Sequence, residues 1–253
     1  MPSLARVRRR TAVGMLASVP LALLLPRAFA QGGAPDLMTP VSARYAGLAS
    51  YSDSGTVETS YIWPGNPPLV ERHRFETAFR APRNFFFRFD QDPAAGGDAF
   101  VIWCDGGPFQ SWWKATGVHE VHDGGRGAVA FFNGESPTKG AANLVAPHVF
   151  PQAGLIGTTS GLVEPRDGGQ DTLGGRPCVR ILADSRITGV QTVEHRPITL
   201  WVDEESGLIA RVLVEAEAGS PEGFVDTLLY EVDPVADPDL PDERFAFDPE
   251  TAR

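Results

Sequence analysis

Apolar and polar positions alternate through most of the chain. In "ERHRFETAFR", residues 71–80, His73, Phe75, Thr77 and Phe79 share one side, and Arg72, Arg74, Glu76 and Arg80 the other. Successive strand side chains point to opposite faces, so this segment predicts a sheet with one apolar and one wet face. "APR" breaks the run, and "NFFFRFD", residues 84–90, resumes it. Phe85, Phe87 and Phe89 then point to the concave side, with Arg88 and Asp90 toward solvent. "GTVETSYIW" alternates before these two strands. "DAFVIWCD" is apolar on both faces and predicts deeper burial, and "FQSWWKA" and "HEVH" continue the meander.

The start and the middle of the chain follow a different pattern. Thr39 as N-cap with Pro40 at the first helical position predicts a helix over about 40–49, burying Val41, Tyr45 and Leu48. "GRGAVAFF" and "SPTKGAANLVAPHVF" carry small and apolar residues at helical spacing and predict short helices over about 126–133 and 137–146. Strands return in "TSGLVEPR", "RPCVRILAD", "PITLWVD", "LIARVLVEA" and "FVDTLLYEVD". "WVDEESGLIARV" is a hairpin with Gly207 at the left-handed turn position. The expectation is a mainly β fold with some α: a curved antiparallel sheet with helices packed into its mouth.

Charge and the N-terminus place the protein. Arg6, Arg8, Arg9 and Arg10 precede an apolar run from Thr11 to Leu25, and Ala28-Phe29-Ala30 reads as a cleavage site. This predicts a secretory signal over 1–30, cleaved after Ala30, a leader over 31–38 and one domain over 39–253. A retained N-terminal anchor is the other reading. "RRRTAVGML" hints at the twin-arginine route, although Ala12 stands where a bulky apolar residue is usual. The signal holds five of the 22 basic residues and none of the 32 acidic ones, so the net charge of −10 becomes −15 on cleavage. Such a surface repels nucleic acid. No other run approaches the ~18 apolar residues of a transmembrane helix.

Sites of chemistry are sparse. Cys104 and Cys178 lie on predicted strands, and an even count in an oxidising compartment permits a disulfide; two separate buried thiols is the alternative. His119 and His122 form H-x-x-H, which on a strand points the imidazoles to opposite faces and disfavours a shared metal. In "GTTSG", residues 157–161, Ser160 stands one position late for a nucleophile elbow. "DGGRG" and "DGGQDTLGG" lack the strand-to-helix setting of a phosphate loop. No cofactor or metal is called for.

Five segments in order give the chain a resemblance: "YAGLASYSDSG", "FETAFRAPRNFFFRF" around an R-x-P corner, "FVIWCDGG", "PITLWVDEESGLIARV" and "LPDERFAFDP". Together they resemble the LolA/LolB-like superfamily, in an uncharacterised periplasmic branch. The resemblance implies an unclosed antiparallel half-barrel, capped by helices, with a hydrophobic interior. Relatives with known roles carry lipoprotein acyl chains through the periplasm or sense such ligands. The lipobox cysteine of the membrane-anchored type is absent here.

The first functional expectation is therefore a periplasmic protein that binds or carries a lipid or acylated ligand. Its lining would be Phe75, Phe79, Phe85, Phe87, Phe89 and Trp103, with residues 126–150 as a movable cover through Val129, Leu144 and Val145. A periplasmic or membrane protein is the further partner that this reading allows. The second expectation is a non-enzymatic interaction or regulatory module with a packed interior. A hydrolase without a recognisable motif ranks third.

Overall fold

The protein is described here from a computed structural model, covering residues 36–91, 97–122, 138–155, 157–188, 193–216 and 225–252. The expected signal segment, most of the leader and the expected helix over 126–133 lie outside the described residues.

Helix α1 spans Met38–Ala46. It starts earlier than Thr39 would set it, because Asp36 supplies the cap: its Oδ1 accepts from the backbone N–H groups of Met38 and Thr39 at 3.1 and 3.2 Å. Val41, Tyr45 and, beyond the helix, Leu48 are buried as the pattern requires.

Eleven strands follow: β1 Ser50–Ile62, β2 Leu69–Arg80, β3 Asn84–Asp90, β4 Ala99–Asp105, β5 Phe109–Trp113, β6 Val118–His122, β7 Val163–Leu173, β8 Arg176–Thr188, β9 Val193–Asp203, β10 Ile209–Val214 and β11 Val225–Ala236. They form one antiparallel sheet in the order β6-β5-β4-β3-β2-β1-β11-β10-β9-β8-β7. The first and last members do not pair, so the barrel is left unclosed. Its edges are blunted in the usual way: β6 has five residues, and β7 carries two register shifts and several charges.

Register decides which residues face inward. Phe79 pairs with Phe85, Thr77 with Phe87 and Phe75 with Phe89. On the next strand Cys104, Ile102 and Phe100 oppose those three phenylalanines. The inward row gathers into one large core with α1 and with the segment from Ala141 to Leu155. Burying each phenyl stabilises the fold by roughly 1.5–3 kcal/mol. Gly55 is required where it stands: a Cβ there would lie 2.3 Å from Phe75 Cζ, so only glycine lets that ring cross the strand.

The outer face has a core of its own. Ala78, Phe86, Val101, Trp103 and Trp112 are covered by Phe245, with Leu240 and Phe247 packed alongside. Arg80 and Arg244 clamp this tail. Arg80 Nη1 donates to Leu240 O at 2.8 Å, and Arg244 Nη2 pairs with Glu76 Oε2 at 2.8 Å.

Candidate apolar binding interior

The inward face is graded from one end to the other. At the α1 end, Phe150 is buried among three aromatic rings. Its centroid lies 5.3 Å from Phe79, 5.6 Å from Phe85 and 5.4 Å from Phe109, each edge-to-face. That is the preferred geometry of aromatic quadrupoles. Phe150 comes from the segment spanning the sheet's mouth, not from the sheet.

This segment is not the single helix expected over 137–146. It has a 3₁₀ turn at Ala141–Asn143, a short helix α2 at Ala146–Val149 and another 3₁₀ turn at Pro151–Ala153. Pro147 and Pro151 fit first-turn positions but cannot serve inside a longer helix, and Gly140 and Gly154 take positive φ of 82 and 63°. Leu144 and Val145 are buried in the core. Residues 126–137 of the expected cover, Val129 included, fall outside the described residues.

Polar contacts hold the segment down. Thr159 Oγ1 donates to Leu144 O at 2.6 Å, and His148 Nε2 lies 3.0 Å from the same hydroxyl. The hydroxyl's one proton is thereby used, so Nε2 donates and Nδ1 accepts from Ser42 Oγ at 3.2 Å. His148 is thus a neutral bridge between α1 and the 157–160 turn, stacked on Tyr45 at 5.3 Å. Burial pushes its pKa down to about 4. Tyr230 donates its hydroxyl to Lys139 O. At Gly157 a Cβ would come within 2.4 Å of Asn143 O, so the turn touches the segment backbone to backbone.

One inward position from Tyr51, opposite Thr77, sits a buried carboxyl, Asp53. Tyr51 OH donates to its Oδ2 at 2.7 Å, while Oδ1 has no partner. Burial pushes this carboxyl up to about 7, partly offset by the hydrogen bond from Tyr51. At the far end, Lys139 Nζ lies 2.7 Å from Tyr61 OH and 3.3 Å from Glu71 Oε2. His73 lies one inward position further in, its ring 5.2 Å from Phe89.

Phe75, Phe79, Phe85, Phe87 and Phe89 therefore share one inner surface with Leu144 and Val145. Trp103 does not join them. It lies on the outer face, 4.9 Å from Phe247, because Cys104 and Ile102 take the inward phase of β4. Phe86, expected on the outer side, is there but buried beneath the tail, with Arg244 Cζ 4.6 Å above its ring. The permitted disulfide is absent: Cys104 is a free thiol in the inner core, and Cys178 is a free thiol in a small outer cluster with Leu173 and Ala210. Opposite faces of distant strands cannot be bridged.

His119 stacks on Trp103 outside, and His122 lies on the inner phase with Ser111 Oγ at 3.3 Å, so the two imidazoles diverge as the strand period requires. Ser160 accepts the Gly157 N–H at 2.8 Å and closes a turn. Among the described residues no cluster of metal-ligating side chains exists. A groove of 670 Å³ opens on the outer face, lined by Arg74, Arg176, Arg211, Glu231 and Asp233 among others. Two of these arginines are already paired, Arg176 with Asp233 and Arg211 with Glu231.

Asp53, Phe109, His148 and Phe150 belong to this interior although the sequence pattern does not single them out. Asp53 was within reach, since alternation continued backward from Val57 puts it on the inward phase. Phe150 gave no signal of its own.

No family model and no curated protein matches the chain. Among solved structures, it is similar to the Mycobacterium bovis protein LprF at 12% identity, over 78% of this chain and 89% of that one, with a TM-score of 0.42. It is also similar to the lipoprotein LppX of Mycobacterium tuberculosis at 12% identity, over 78% and 94%, with a TM-score of 0.39. A third likeness is to a LolA superfamily protein of Nitrosomonas europaea at 12% identity, over 83% and 96%, with a TM-score of 0.32. Likeness at this level leaves function to the chain's own residues.

Proposed function

We propose that this is an exported, non-enzymatic periplasmic protein that binds a lipid or acylated ligand inside the half-barrel. The observation that carries the reading is Phe150. A side chain from a segment of short turns fills an aromatic slot between Phe79, Phe85 and Phe109. An apolar ligand entering there exchanges one apolar contact for another. Withdrawing Phe150 forfeits roughly 1.5–3 kcal/mol of burial. An acyl chain burying ~300 Å² at ~25 cal/mol per Å² returns a gross ~7.5 kcal/mol before ordering costs.

The packed state favours a second reading. Phe85, Phe87 and Phe89 are fully buried, as an interaction module with a filled interior would have them. A hydrolase has less support. Ser42 and His148 approach within 3.2 Å, but an imidazole with a pKa near 4 is a weak base, and the group behind it is an uncharged threonine.

The test is binding of a fluorescent long-chain fatty acid to lipid-stripped protein. The wild type binds the probe, Phe150→Ala binds it more tightly because the competing ring is gone, and Phe87→Ala binds it less. Phe86 is no silent control, since the tail covers it. The exposed Val235→Ala on the outer face replaces it. If neither the wild type nor Phe150→Ala takes up the probe while both remain folded, the packed-module reading stands instead.

A further inference from the structure

We propose that the far end of the interior is a head-group site for an amphiphile whose head is uncharged and both donates and accepts hydrogen bonds. This rests on the reading of the interior as an apolar ligand site and names the kind of ligand.

The inward phases of β1 and β2 bring four polar side chains side by side. Thr59 pairs in register with Glu71, and His73 with Val57. Tyr61 follows Thr59 toward the mouth. Two of these side chains are orphaned: Thr59 Oγ1, and both ring nitrogens of His73, are buried without a hydrogen-bond partner. Thr59 is only 1% exposed. Glu71 does not relieve His73, because Nε2 lies 3.7 Å from Glu71 Oε2, too far for a hydrogen bond. That oxygen is already taken by Lys139 at 3.3 Å. Buried polar atoms nearly always have partners, since leaving them unpaired forfeits the water they gave up. Two neighbouring orphans on one inner face therefore mark a place built for a third party.

Charge decides the chemistry of that party. Among the described residues the ionised groups at this end are matched: Lys139 with Glu71 at 3.3 Å, and Arg196 with Asp226 at 3.2 Å. Among those residues an anionic head finds no surplus positive charge and meets Glu71. The orphans are a hydroxyl and an imidazole, which together supply hydrogen-bond donors and acceptors. A hydroxyl or primary amide head matches this set. The tilted contact of His73 with Phe89, ring centroids 5.2 Å apart, joins the head site to the apolar row. From His73 to Phe79 the row runs about 20 Å at ~3.3 Å per residue, room for a long tail.

Three probes with the same pyrene-labelled tail test this: a long-chain alcohol, the matching carboxylate and the matching alkane. The wild type binds the alcohol about ten-fold more tightly than either of the others. Thr59→Val and His73→Phe erase that preference, leave alkane binding in place, and hold or raise the melting temperature because they remove the orphaned atoms. A purely structural role would move all three probes together. Equal binding of alcohol and alkane by the wild type overturns the head site while the apolar interior stands. A preference that survives both substitutions, with ordered water satisfying Thr59 and His73, overturns it too. Failure of every probe to bind overturns both readings.

Discussion

Asp53 and His148 are two buried groups whose protonation is displaced in opposite directions, and each should mask the other in the pH dependence of stability. Burial raises the Asp53 carboxyl from 3.8 to about 7. Between those values the folded chain holds a proton that the unfolded chain has released, so this contribution is complete below pH 3.8 and is lost as pH rises through 7. The span corresponds to about 4 kcal/mol. Burial lowers His148 from 6.5 to about 4. Here the unfolded chain holds the extra proton, so the contribution is complete above pH 6.5 and is lost as pH falls through 4. That span corresponds to about 3 kcal/mol. Over roughly pH 4–6.5 the two slopes oppose each other and nearly cancel. Asp53→Asn keeps the shape and a hydrogen bond with Tyr51 while removing the titration, and should uncover a rise of about 3 kcal/mol from pH 4 to 6.5. His148→Gln should uncover a fall of about 4 kcal/mol from pH 4 to 7. Urea unfolding of the three proteins and the double variant across that range gives the difference curves, from which the other carboxylates drop out. If the Asp53→Asn curve runs parallel to the wild type, the carboxyl is not protonated in the folded chain and the argument fails.

Two further outcomes follow from the faces of the sheet. Phe245→Ala should cost about 3–5 kcal/mol, because the ring is fully buried over Phe86, Trp103 and Trp112 beneath Arg80; a red shift of tryptophan emission at an unchanged inner core would report the opened outer cluster, and an unchanged melting temperature would contradict it. Thiol titration without reductant should find two free thiols after denaturation and almost none in the folded protein, since Cys104 and Cys178 are both buried and unbridged; a count of zero after denaturation would show a disulfide.

The period-two pattern by itself determined which side of each alternating strand faces inward. Phe75, Phe79, Phe85, Phe87 and Phe89 could be placed because charged residues mark the other face of β2 and β3. The Asp-Glu-Glu-Ser-Gly turn of the β9–β10 hairpin was legible for a local reason: only a glycine adopts the φ of 71° at Gly207 without strain. Where both faces are apolar the pattern carries no phase. In "AFVIWCD" all of the apolar positions are buried, so only pairing with β3 decided that Cys104 points in and Trp103 out. The outer cluster exists because the acidic tail returns across the sheet and covers Phe86, a contact between residues about 160 positions apart in sequence. The same limit applies to the mouth segment. Its helical spacing was real, but Pro147, Pro151 and the glycines broke it into turns, and packing against Thr159 and Tyr230 fixed where they lie. Phe150 entered the aromatic slot, and Thr59 and His73 were left unpartnered, through tertiary contacts that no local pattern records, because burial and partner choice depend on strands brought together from across the whole chain.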